Sequence, residues 1–149
     1  MKNKTLLLSI HPCFVEKIFS GEKKFEYRKR IPTDIHTVIV YATAPIKQIV
    51  AVIEVENVLQ DTPMNIWKQT KEWSGLTYKF YKSYYKGKSV AYAIKFKNVY
   101  RLERPQSISI FKEVKSAPQS YMYIYDSWDA LNDKLGGQLV SNPILSKFQ

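Results

Sequence analysis

The run Gly21-Glu22-Lys23-Lys24-Phe25-Glu26-Tyr27-Arg28-Lys29-Arg30 holds the side chains of this chain best suited to chemistry. In an extended strand, successive side chains point to opposite faces. Phe25 and Tyr27 then share one face, while Glu26, Arg28 and Arg30 share the other, with Lys23 at the entry turn. Gly21 allows a left-handed or close-packed turn. Lys23 is a mobile cation able to reach a phosphate or a base carbonyl. Glu26 can accept from an exocyclic amine, or shuttle a proton if burial raises its pKa. Arg28 offers a planar fork to phosphate, carboxylate or Glu26 itself. A plain Glu26–Arg28 pair on a strand face, with no ligand, fits the same residues. Ser9 and His11 close the preceding apolar strand at a helix N-terminus, where unpaired N–H groups favour an anion. Tyr41 ends a core strand and is a further candidate, although a buried tyrosine with a satisfied hydroxyl fits it equally.

The elements that position these groups follow from patterning. Residues 5–10 read as a buried strand, and Pro12 fits the first position of a helix. Phe14, Val15, Ile18 and Phe19 fall at helical spacing, and Gly21 suits the C-terminal cap. The charged strand spans 24–30. Residues 37–42 form a β-branched, continuous strand, as expected where both faces are covered, and 49–56 read as another strand, polar only at its far end. Pro63 starts a helix to about Glu72, Ser74-Gly75 interrupts, and Thr77 caps a second helix that Gly87 closes. Residues 90–100 alternate as a long strand. Beyond Pro105 the signals weaken: 121–125 is aromatic-rich, and Asp126 is a candidate cap for a helix to Leu135. The tail from Gln138 carries no clear pattern. The expectation is one α+β domain over residues 1–149 with a mixed, barrel-like sheet.

A net charge of +10 with 45% hydrophobic residues indicates a folded, strongly basic domain and favours an anionic partner, nucleic acid first. One cysteine, Cys13, excludes an internal disulfide framework and suits a reducing compartment. With His11 and His36 as the only histidines, a Cys/His zinc site lacks ligands, so no metal and no cofactor is expected. The N-terminal apolar run is too short for a signal peptide, and no stretch reaches membrane-spanning length. A cytoplasmic protein without membrane contact is expected. Between residues 78 and 101, seven lysines and arginines interleave with six tyrosines and no acidic residue. Aromatic faces with lysines beside them suit unpaired RNA, but tyrosines at helical spacing also fill cores.

The string Leu8-Ser9-Ile10-His11-Pro12, followed by Gly21, Lys23, Glu26 and Arg28 in a G-x-K-x-x-E-x-R pattern, resembles the ASCH family of the PUA-like superfamily. Supporting matches are 40–45, the Lys71-Glu72-Trp73-Ser74-Gly75 joint and 91–94. The likeness covers about 5–105 and leaves 106–149 as an extension. It implies a PUA-like β-barrel of mixed strands with short helices over one opening, and a cleft for RNA or a nucleoside. It also implies a transcriptional-regulator type. Motif and residue reading together make Ser9, His11, Lys23, Glu26, Arg28, Arg30 and Tyr41 the candidate ligand-binding set for RNA or a nucleotide-type ligand.

Similar acetylcytidine amidohydrolases use a Lys, a Thr and a Glu. Lys23 matches the first and Glu72 loosely the last, but Glu26 stands where their threonine would be, removing the hydroxyl nucleophile. Three readings follow. The first is a nucleic-acid-binding module acting through a basic cleft, with gene regulation as one use. The second is a small hydrolase of RNA or of an acylated nucleoside, with Lys23, Glu26 and Glu72 catalytic. The third is an adaptor docking through the aromatic segment 121–135.

Overall fold

The computed structural model describes residues 4–140. Residues 1–3 and most of the C-terminal tail lie outside it. Six strands form one mixed sheet: β1 (Lys4–Ile10), β2 (Phe25–Arg28), β3 (Ile35–Ala42), β4 (Gln48–Asp61), β5 (Ala91–Gln106) and β6 (Tyr121–Ile124). Four helices accompany them: α1 (Pro12–Ser20), α2 (Pro63–Thr70), α3 (Tyr78–Tyr84) and α4 (Trp128–Lys134). The strand order is β2-β5-β4-β3-β1-β6. β1 and β3 run parallel, and the remaining neighbours are antiparallel.

The Leu6-Leu7-Leu8 run in β1 is continuous because both of its faces are covered. Leu6 and Leu8 enter one cluster with Val38, Val40 and Ile94, while Leu7 enters a second with Ile39, Val52 and Leu131. A third cluster gathers Phe25 and Tyr27 of β2 with Ile66, Tyr81 and Tyr85. The period-2 reading of β2 thus holds, with the aromatics packed on α2 and α3.

The sheet is not closed into a barrel, which corrects the expected architecture. Among the described residues β2 and β6 are the two edges, each only four residues long, and no ladder joins them. The Arg28 side chain crosses the gap instead, reaching the Ser120 carbonyl just before β6. β5 runs past Pro105 to Gln106, farther than the pattern suggested. Its pairing with β4 shifts register around Val55, continues to Arg101 opposite Ala51 and resumes only at Gln106 opposite Ile49, so Pro105 falls where the ladder is interrupted. The helix expected to reach Glu72 stops at Thr70 and passes into a 3₁₀ turn, Lys71–Trp73. Ser127, rather than Asp126, caps α4. Within the extension, β6 pairs with β1, and Ile124, Leu131 and Leu135 join the second cluster.

Candidate functional site

α1 and the turn after it set the geometry. His11 is the N-cap, its Nδ1 accepting from the Cys13 N–H at 3.1 Å, which in the neutral ring leaves the proton on Nε2. Gly21 ends the helix at φ +85°, a conformation that suits glycine. The chain then forms a single β-bridge between Lys23 and Ser74, with the Lys23 N–H donating to Lys17 O at 3.0 Å. The Lys23 side chain is only 1% exposed. Its Nζ donates to Ser74 O at 3.0 Å and lies 3.5 Å from Glu26 Oε1. It also sits 4.9 Å from the ring centre of Tyr27 and 5.5 Å from that of Phe14. Burial pushes the Lys23 ammonium below its ordinary pKa, Glu26 pulls it back up, and Arg28 adds a smaller lowering. Gly75 makes this approach possible. It sits at φ +68°, and a Cβ there would come within 2.8 Å of Lys23 Cβ.

Glu26 and Arg28 project from the other face of β2. Arg28 Nε donates to Glu26 Oε2 at 3.1 Å, and its NH2 lies 2.9 Å from the same oxygen. That NH2 also donates to Ser9 O at 2.9 Å, and NH1 donates to Ser120 O at 3.3 Å. One guanidinium thus ties β2 to β1 and to the segment entering β6. Arg28 is engaged on every side. Glu26 Oε1, by contrast, has only the loose 3.5 Å contact with Lys23 among the described residues and keeps lone pairs for a further donor.

These groups floor a cleft of about 530 Å³. Phe14 and Phe80 make one wall, edge to face at 5.5 Å, with Phe80 48% exposed. Tyr84 and Tyr121 add further ring surface, while Lys29 and Arg30 stand at the mouth. The arrangement offers a base-sized aromatic surface, one open carboxylate oxygen and two cations.

Of the residues singled out from sequence, Ser9, His11, Lys23, Glu26, Arg28 and Arg30 line this cleft. Tyr41 does not. It packs with Ile39 and Ile49 in the second cluster, 7% exposed, because β3 alternates it away from the site. Glu72 is exposed on the 3₁₀ turn and is absent from the lining; the joint instead contributes the Ser74 carbonyl and the space at Gly75. Phe14, Phe80, Ser120 and Tyr121 are cleft residues that sequence reading passed over. Phe14 and Phe80 look like ordinary helix-core positions, and Ser120 sits in a segment without pattern. Among the tyrosines of 78–101, Tyr81 and Tyr85 are core. Their hydroxyls donate to Pro63 O at 2.7 Å and Arg28 O at 2.9 Å.

Among the described residues, no group of three His, Cys, Asp or Glu side chains could hold a metal, and no helix is long and apolar enough to cross a membrane. Comparison with known proteins matches the ASCH domain model over residues 8–100. An ASCH domain-containing ribonuclease of Zymomonas mobilis is 27% identical over 126 residues, covering 81% of this chain and 84% of that protein. The large ribosomal subunit protein uL22 of Ureaplasma parvum serovar 3 is 28% identical over 123 residues; the chain spans 39% of its length. The crystal structure of ASCH from Zymomonas mobilis superposes with a TM-score of 0.74 at 26% identity, covering 94% of this chain and 96% of that one. A gene-regulatory role finds no support among these relatives.

Proposed function

The chain belongs to the ASCH domain family, and on that footing we propose that it captures RNA in the cleft floored by Lys23, Glu26 and Arg28. The open Glu26 Oε1 carries this reading. It is an anionic acceptor set among cations, beside aromatic faces and below Lys29 and Arg30. A base rests on Phe80 and Tyr121, the phosphate meets Lys29 or Arg30, and Glu26 accepts from a ribose hydroxyl or an exocyclic amine. His11 can donate from Nε2. Arg28 holds the floor rather than the ligand.

A second reading, cleavage of the bound RNA, is favoured by the ribonuclease relative and by the Lys23–Glu26 contact. Glu26 takes the proton of a ribose 2′-hydroxyl as its oxygen bonds to the neighbouring phosphorus. The phosphorus–O5′ bond breaks, the 5′ oxygen receives a proton through Glu26, and a 2′,3′-cyclic phosphate and a 5′-hydroxyl remain. Lys23, held behind the carboxylate, stabilises its anionic form between transfers. The nucleoside-amide alternative has no hydroxyl nucleophile at position 26 and is the weaker enzyme reading.

The test is a titration of purified protein with labelled single-stranded RNA at two salt concentrations, with cleavage followed on gels. Binding that falls steeply with salt and is lost in Glu26→Gln supports capture. Salt-independent binding, or full binding by Glu26→Gln, overturns it. Cleavage that stops when a 2′-deoxy residue replaces the attacking ribose supports the second reading. Intact RNA after long incubation removes it and leaves capture standing.

A further inference from the structure

Three tyrosines at the open edge of the sheet are arranged in a way that the cleft alone does not explain. Tyr121, Tyr123 and Tyr125 fall at alternate positions in and just after β6, so they share one face in a row about 13 Å long at ~3.3 Å per residue. Tyr121 pairs opposite Leu8 and Tyr123 opposite Leu6 of β1, and both pack on the first cluster. Adjacent ring centres are 6.2 Å apart at each step, perpendicular in the first pair and near-parallel in the second. Tyr125 is 86% exposed and stacks only on Tyr123 among the described rings. Burial does not explain a ring presented in this way.

The row connects two cavities. Tyr121 lines the cleft beside Arg28 and Ser120. Tyr123 and Tyr125 line a second cavity of about 960 Å³ together with Lys4, His36, Lys97 and Trp128. The carboxylates of that cavity are engaged. Glu54 accepts from Tyr100 at 2.6 Å and from Asn98 at 3.3 Å, and Asp126 pairs with Lys134 at 2.8 Å. Lys4 is paired with Asp34, whereas Lys97 has no ion-pair partner among the described residues.

We propose that the Tyr121–Tyr123–Tyr125 row is a stacking track for single-stranded RNA leading out of the cleft, with Lys97 meeting a backbone phosphate at its far end. The inference rests on the RNA reading of the cleft and narrows it: the ligand is an extended, unpaired strand rather than a mononucleotide. Surfaces for such strands combine ring faces with cations along the backbone. Continuity with the cleft and the net charge of +10 favour RNA here over a peptide added to the β6 edge, which would use backbone groups rather than rings.

The experiment is fluorescence titration of the full chain with labelled oligouridine of about eight nucleotides, labelled uridine monophosphate and a labelled RNA duplex. Incubations are brief, and oligomer integrity is checked on a gel. The oligomer should bind at least about tenfold more tightly than the mononucleotide and the duplex. Tyr125→Ala should weaken the oligomer about tenfold, the loss of one base–ring stack, without affecting the mononucleotide, and Tyr125→Trp should retain the affinity. Because Tyr125 is exposed, the thermal midpoint of Tyr125→Ala should be unchanged. If the oligomer gains nothing over the mononucleotide or the duplex, the track is overturned while the cleft reading stands. The track falls in the same way if Tyr125→Ala alters no ligand or weakens all alike. If neither single-stranded ligand binds the wild-type chain, the cleft reading falls as well.

Discussion

The two faces of β2 solve the same problem by different means. On one face Phe25 and Tyr27 pack into the aromatic cluster under α2 and α3, and the Tyr27 hydroxyl donates to Thr70 Oγ1 at 2.8 Å. On the other, Glu26 and Arg28 have side chains only 12% exposed and bind charged or carbonyl partners from three elements. The aromatic face loses one hydrogen bond if one hydroxyl is removed. The ionic face strands a charge if one member is removed, because the low local dielectric penalises an unpaired ion far more than an unpaired hydroxyl. The ionic side of this four-residue strand is therefore the less tolerant of single substitutions, and it is the side facing the candidate cleft.

The largest effect should come from breaking the ionic face. Glu26→Ala leaves Lys23 and Arg28 as two cations without their shared carboxylate and should cost about 3–5 kcal/mol in urea denaturation. Tyr27→Phe, one residue along on the opposite face, should cost about 1 kcal/mol. Equal losses would erase the distinction between the faces. Adding Lys23→Met to Glu26→Ala should recover part of the loss, since it removes the charge left stranded.

Much of this contrast was legible in the sequence. Alternation placed Glu26 and Arg28 opposite Phe25 and Tyr27, and Pro12 and Gly21 bounded the helix before them, because all of these depend on local geometry. The open sheet was not legible. Whether β2 and β6 pair is decided by contacts across more than ninety residues, such as Arg28 to Ser120, for which a single chain carries no periodic signal. The misplacements of Tyr41 and Glu72 have local causes. Tyr41 follows the inner-face parity of Ile39, and Glu72 falls on an exposed 3₁₀ turn; the Ser74 carbonyl just after that turn, rather than the Glu72 carboxylate, meets Lys23. Tyr81 and Tyr85 could pass for a stacking surface because helical spacing alone does not say which side of a helix meets the sheet.

The next effect in size concerns how the ionic face is entered. Gly75→Ala forces a side chain into a left-handed conformation and against Lys23 Cβ, an atom too near the backbone to swing aside. The cost should be about 2 kcal/mol, with RNA affinity falling as Lys23 shifts from Glu26. Stability and affinity measured on the same variant sharpen the comparison. A variant as stable as wild type would show that the joint is looser than its geometry indicates.

The smallest effect sets the two faces against each other through pH. Burial raises the hydroxyls of Tyr27, Tyr81 and Tyr85 above the ordinary tyrosine pKa of 10.0. Groups whose folded pKa is raised contribute stability that is complete below the unfolded value and is lost as pH climbs past it. Lys23 runs the other way. Burial lowers its folded pKa beneath the unfolded 10.5, so the unfolded chain binds the extra proton and stability rises with pH between those two values. The thermal midpoint should therefore rise gently as pH climbs toward the ordinary lysine value and then fall once pH exceeds about 10. Lys23→Met should remove the rise. Tyr85→Phe gives up the bond to Arg28 O and should be about 1 kcal/mol less stable at neutral pH, yet lose stability less steeply above the turning point. A rise that survives in Lys23→Met would mean that another group, and not the buried lysine of the ionic face, carries the proton.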